Sequence, residues 1–139
     1  MTGFLLDTNV VSEVVRELPN PGVTRFLTDN GDLWISTIAI HELEFGLQLL
    51  AKGRRQSALR EGISRFVDTY TDRILPICHE SAKWAAILRV QAKRSGRVLD
   101  LADALVAGVA IANNLTLATR NLRHFDNLAM SAISPWKNA

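Results

Sequence analysis

A few scattered oxygen-bearing side chains could do chemistry together: Asp7, Glu42, Asp103, Asn121 and Asp126. Their ligand atoms are all hard oxygens. Clustered carboxylates repel one another unless a cation joins them. Magnesium or manganese fits such a set, because the chain has neither zinc-type His/Cys spacing nor a calcium loop. A divalent cation on such acids would activate water and offset charge on a phosphoryl transition state, which is the chemistry of phosphodiester hydrolysis. Arg120, Arg123 and His124 stand beside Asn121 and could hold a phosphate backbone.

Each acid also has a plainer explanation. Asp7 ends the apolar run Phe4-Leu5-Leu6, where Asp is a good N-cap for a following helix. Counting by threes and fours puts Ile38, Glu42, Phe45 and Leu49 on one helix face, so Glu42 interrupts a mostly apolar stripe. A buried acid there needs a pairing cation, from a structural salt bridge or from a site. Glu44 lies off the stripe and reads as solvated. Asp100 fits the cap of the helix opened by LADALVAGVA, while Asp103 sits in its first turn. There Asp103 either answers the helix dipole or faces a cleft. Asn121 alone reads as a turn residue.

These residues need elements to position them. Phe4–Leu6, Leu33–Ile35, Ile74–Ile77, Leu115–Ala118 and Ala132–Ile133 are the short apolar runs expected as strands. Pro76 marks the third as an edge or irregular strand. Helices are expected over Val10–Glu17, Val23–Asp29, Ile38–Ala51, Ser57–Tyr70, Ser81–Arg94 and Leu101–Ala112. Ser36 and Thr37 cap the third of these and Gly53 ends it. The 101–112 helix is nearly all apolar or small, so it must be buried, its small residues letting it approach the sheet. Strands alternating with helices argue for a parallel sheet covered on both faces, with ligands beyond the carboxyl ends of the strands. No phosphate-binding glycine loop is present.

With 139 residues, 47% of them hydrophobic, the chain suits one globular domain over residues 1–139. No secretory signal or membrane-spanning run is evident, and the lone Cys78 fits a small core position in a cytoplasmic protein. A net charge of +2 is too small to indicate nucleic acid by itself. The basic runs at 52–65, 93–97 and 119–125 are by default solvated faces. Trp34, Trp84 and Trp136 read as core or interface anchors. The surface around Leu47, Leu49 and Leu50 reads first as a core-facing helix.

LLDTNVVSE, HELEFG, DLADALVAGVAIA and LATRNLRHF, in this order and spacing, resemble the four blocks of PIN-domain nucleases. The likeness is greatest to the VapC/FitB-type toxins of bacterial toxin–antitoxin pairs, and it covers nearly the whole chain. It implies a three-layer α/β fold, with a central parallel sheet of four to five short strands and helices on both faces. It implies a Mg2+- or Mn2+-dependent ribonuclease with Asp7, Glu42, Asp103 and Asn121 in the catalytic positions and the three acids as metal ligands. Asn121 departs from the acid often found at the fourth position, and Asp126 is a candidate to compensate. Thr8, Asn9 and Thr119 stand as auxiliary residues, with Thr8 and Asn9 taking over capping from Asp7. The resemblance further implies a homodimer and a VapB/FitA-like antitoxin, through which a larger complex binds promoter DNA. Two alternatives carry less. Asn121 would suit a PIN-fold binding module that has lost hydrolysis. A haloacid-dehalogenase-type phosphatase also places Asp after an apolar strand, but it needs a second Asp where Asn9 stands.

Overall fold

The computed structural model describes residues 3–138; Met1, Thr2 and Ala139 of the expected 1–139 domain lie outside them. The elements run β1 (Phe4–Leu6), α1 (Thr8–Val14), α2 (Pro21–Asp29), β2 (Leu33–Ser36), α3 (Thr37–Leu49), α4 (Arg54–Asp68), β3 (Ile74–Leu75), α5 (His79–Arg94), α6 (Leu101–Ala112), β4 (Thr116–Ala118) and β5 (Ala132–Ile133). Short 3-10 turns cover Thr71–Arg73, Leu122–Phe125 and Pro135–Asn138.

Among the described residues, five parallel strands pair in the order β3-β2-β1-β4-β5. β1 is central, and the two-residue period of a strand explains its composition. Leu5 points into one core layer, with Leu88 of α5, Val109 of α6 and Leu117 of β4. Leu6 points into the other, with Val10 and Val11 of α1, Val23 and Phe26 of α2, and Leu43 of α3. Both leucines are fully buried, so a continuous apolar run is what this strand requires. No helix of the described residues is long and apolar enough to cross a membrane.

Several local expectations are corrected. α1 opens at Thr8 and closes at Val14, and Asp7 itself is the N-cap. α2 opens at Pro21 on the Asn20 cap, because proline at the first turn sacrifices no needed N–H. Gly53 does not end α3; it precedes α4. α3 closes at Leu49, and the Gln56 amide takes the carbonyls of Leu47 and Leu50. β3 stops before Pro76 and is an edge strand. Cys78 is exposed at the start of α5, not buried, and its N–H is taken by the Ser81 hydroxyl. α6 packs on the sheet and also approaches α5 closely: a Cβ on Gly108 would collide with the Ser81 carbonyl. Glu44 is not merely solvated, since Arg60 grips both its oxygens at 3.0 and 3.2 Å. The stripe drawn through Glu42 is buried in the core only at Ile38. Ala39, Leu43 and Leu47 face the core, while Phe45 and Leu49 are 58% and 71% exposed. Trp34 and Trp136 pack against opposite core layers. Trp84 is half-buried on α5 beside the exposed Ile87.

Candidate active site

The site forms where β1 and β4 end. The Asp7 N–H donates to the Ala118 carbonyl at 2.9 Å, and the Thr119 N–H to the Ile133 carbonyl at 2.9 Å, so the sheet ladder carries both residues to its carboxyl edge. They meet there: the Thr119 hydroxyl donates to Asp7 Oδ2 at 2.8 Å. Asp7 Oδ1 accepts from the Thr8 N–H at 2.8 Å, so Asp7 caps α1 and lines the cleft together. The two roles weighed for Asp7 are therefore not alternatives.

α3 starts at the end of β2 because Ser36 caps it through the Ala39 N–H. That start brings Glu42 to the cleft, half-buried, where the Thr8 hydroxyl donates to its Oε1 at 2.6 Å. Asp103 is third in α6, and its Oδ2 lies 2.8 Å from His124 Nδ1. Asp100 occupies the N-cap position of α6 but makes no side-chain cap bond. Asn9 ties the two strand ends together. Its amide donates to Thr119 Oγ1 at 3.3 Å, and its carbonyl oxygen accepts the Arg120 N–H at 3.1 Å. The Asn121 N–H also donates to Thr119 Oγ1.

Burial, above all, pushes Asp7 up to a pKa of about 6. The Thr119 hydroxyl and Thr8 amide pull it down, and the charges of Asp103 and Glu42 push it up further. Asp103 is raised by its own burial against the opposing pull of His124. Among the described residues, no three His, Cys, Asp or Glu side chains converge tightly enough to hold a metal ion as they stand. The donors of Asp7 and Glu42 are instead engaged with threonine hydroxyls. The donor set remains all hard oxygen on one cleft, which is the chemistry a Mg2+-class cation takes.

The structure gathers Asp7, Glu42, Asp103, Asn121, Thr8, Asn9 and Arg120 around one cleft, with Thr119 bonded beneath. Three expected residues, Arg123, His124 and Asp126, are absent from the cleft lining. Arg123 and Asp126 do not line the cleft; Arg97, between α5 and α6, clamps both their backbone carbonyls and fixes their turn beside the site. His124 meets Asp103 rather than offering a free phosphate contact. Ser12, Glu13 and Arg16 line the cleft unanticipated. Counting from Asn9 gives 12, 13 and 16, a helical face that would have revealed them.

The PIN domain model matches residues 4–130. The chain belongs to the PIN-domain family. This PIN chain is 34% identical to the toxin FitB of Neisseria gonorrhoeae, covering 96% of this chain and 98% of that protein. It is 31% identical to the VapC ribonuclease Y4jK of Sinorhizobium fredii, covering 98% and 99% respectively. A solved structure of FitAB bound to a DNA fragment superimposes with a TM-score of 0.87 at 32% identity, covering 96% of this PIN chain and 95% of that one.

Proposed function

We propose that this PIN chain is the toxin of a toxin–antitoxin pair, an endoribonuclease that hydrolyses RNA phosphodiester bonds. One observation carries the reading: a buried carboxylate pushed up to about 6, with two more acids on the same cleft of a fold shared with ribonuclease and toxin relatives. Asp7, Glu42 and Asp103 would hold Mg2+ or Mn2+, which when bound supplies activation of water and neutralisation of phosphoryl charge. The chain's own residues do the rest. Thr119 orients Asp7, Thr8 orients Glu42, and His124 orients Asp103. Asn121 offers a neutral fourth donor, leaving the acid set with three formal negative charges. Arg120 takes the RNA backbone.

A cognate antitoxin silences the enzyme, as the toxin name of FitB suggests, and the FitAB complex on a DNA fragment supports DNA binding through that partner. The working unit is a cytoplasmic homodimer of single-domain chains. The test is cleavage of single-stranded and structured RNA by purified protein with Mg2+ or Mn2+. Activity that survives both EDTA and Asp7→Asn would overturn the mechanism. Asn121 and the loose donor geometry favour a second reading, a non-hydrolytic RNA- or partner-binding module; calorimetry showing no Mn2+ binding at millimolar metal would support it.

A further inference from the structure

Part of the cleft lining comes from α1 and the turn after β4: Ser12, Glu13, Arg16, Arg120 and Asn121. Glu13 is only 5% exposed. A buried acid needs partners, and Glu13 has them. The Asn20 N–H donates to its Oε2 at 2.7 Å, and Arg16 Nη1 reaches its two oxygens at 3.1 and 3.4 Å. The positive charge of Arg120 also acts on Glu13. Arg120 is steadied separately, its backbone held by Asn9 and its guanidinium 5.4 Å from the centre of the Trp136 ring. Arg16 alone bonds the Glu13 carboxylate, so Arg16 and Arg120 together leave a positive excess over Glu13 in the cleft that Asp7, Glu42 and Asp103 also line. The Arg16 side chain stays 62% exposed, with donors left for a ligand.

We infer that Arg16, with Arg120, grips an RNA phosphate beside the scissile one, and that Glu13 is a positioning residue that holds Arg16 at the cleft. This rests on the nuclease reading above. Mutual placement explains why an acid is kept on a wall meant to bind an anion. Glu13 lowers the wall's charge but holds one fork in place, and a planar guanidinium pairs with phosphate in a geometry that lysine cannot copy.

The test is fluorescence anisotropy of a labelled single-stranded RNA on the full chain in EDTA, where cleavage is suppressed, followed by steady-state cleavage with Mn2+. Arg16→Gln, at an exposed position, should weaken binding roughly fivefold or more and flatten the salt dependence by about 0.7 in log–log slope. It should raise KM while leaving kcat within about twofold. Glu13→Gln separates positioning from charge. Electrostatics alone predicts tighter binding when an acid is removed, whereas positioning predicts weaker binding despite the more positive cleft. Arg16→Gln binding with wild-type affinity and slope, in a wild type that binds and cleaves RNA, overturns this inference alone. Tighter binding by Glu13→Gln overturns the positioning role. A wild type that neither binds nor cleaves RNA overturns the nuclease reading with it.

Discussion

Asp7 and Glu13 stand at opposite ends of α1, 6% and 5% exposed, and they respond to burial in opposite ways. Burial raises both, but Asp7 ends near 6 while Glu13 ends below its ordinary value. The Asn20 amide and the Arg16 guanidinium outweigh burial at Glu13. Neutral hydroxyl and amide donors do not outweigh it at Asp7, where two neighbouring acids push the same way. Depth alone therefore does not tell a structural acid from a working one. Glu13 carries its counter-charge within the fold, in Arg16, whereas the donors to Asp7 are a neutral amide and a hydroxyl.

The strongest way to break this contrast is Asp7→Asn. Cleavage should fall by about 10³-fold or more, a loss of roughly 4 kcal/mol in transition-state stabilisation. The thermal midpoint in EDTA should hold or rise, because the variant removes a charge the fold disfavours. A parallel loss of stability and activity would show that Asp7 is structural.

Acid sharpens the contrast next. The folded pKa of Asp7 is raised above the ordinary 3.8, so its contribution to stability is fully present below about 3.8 and is lost as pH rises through about 6. Its span is on the order of 3 kcal/mol. Glu13 has the opposite sign: its contribution is present above its ordinary 4.5 and is lost as pH falls through the lowered folded value. Denaturant titrations of the metal-free protein should show Asp7-linked stability growing from pH 7 to 4, and Asp7→Asn should abolish that gain. Mn2+ should stabilise more at pH 7.5 than at pH 5.5, because the metal competes with the proton.

Thr119→Val comes third. It removes the hydroxyl that most lowers Asp7, so the acidic limb of the cleavage profile should move to higher pH, with activity at pH 6 down roughly tenfold. An unmoved limb would mean that Thr119 only packs. The smallest effect belongs to Glu44, whose pair with Arg60 is exposed on both sides. Glu44→Gln should leave cleavage unchanged and barely shift the melting temperature. A large drop would make this surface pair more than a tether between α3 and α4.

What was legible in the sequence follows how local each signal is. The place of Asp7 at the sheet edge is legible because three apolar residues are too few for a buried helix and enough for a central strand. Asp103 was found because a helix so rich in small and apolar residues leaves an acid at its entrance no ordinary place. Glu42 was found through a stripe whose Phe45 and Leu49 turn outward, since the helical period constrains a face but not which face is covered. Asp126 and Arg123 misled because their turn is held by Arg97, a long-range clamp that no local pattern records. Glu13 and Arg16 are not legible from a helix that starts at Val10, because the polar face of α1 begins at Asn9.

The missing side chain at Gly108 has a further consequence. α6 rests against α5 where Gly108 meets the Ser81 carbonyl, and Asp103 lies five residues nearer the amino end, about 7 Å along the same rod. That contact leaves no room for a side chain. A methyl group inserted there would tilt the rod, and its free end carries an acid of the site. The placement of one acid is thus tied, through the helix that carries it, to how closely two helices touch.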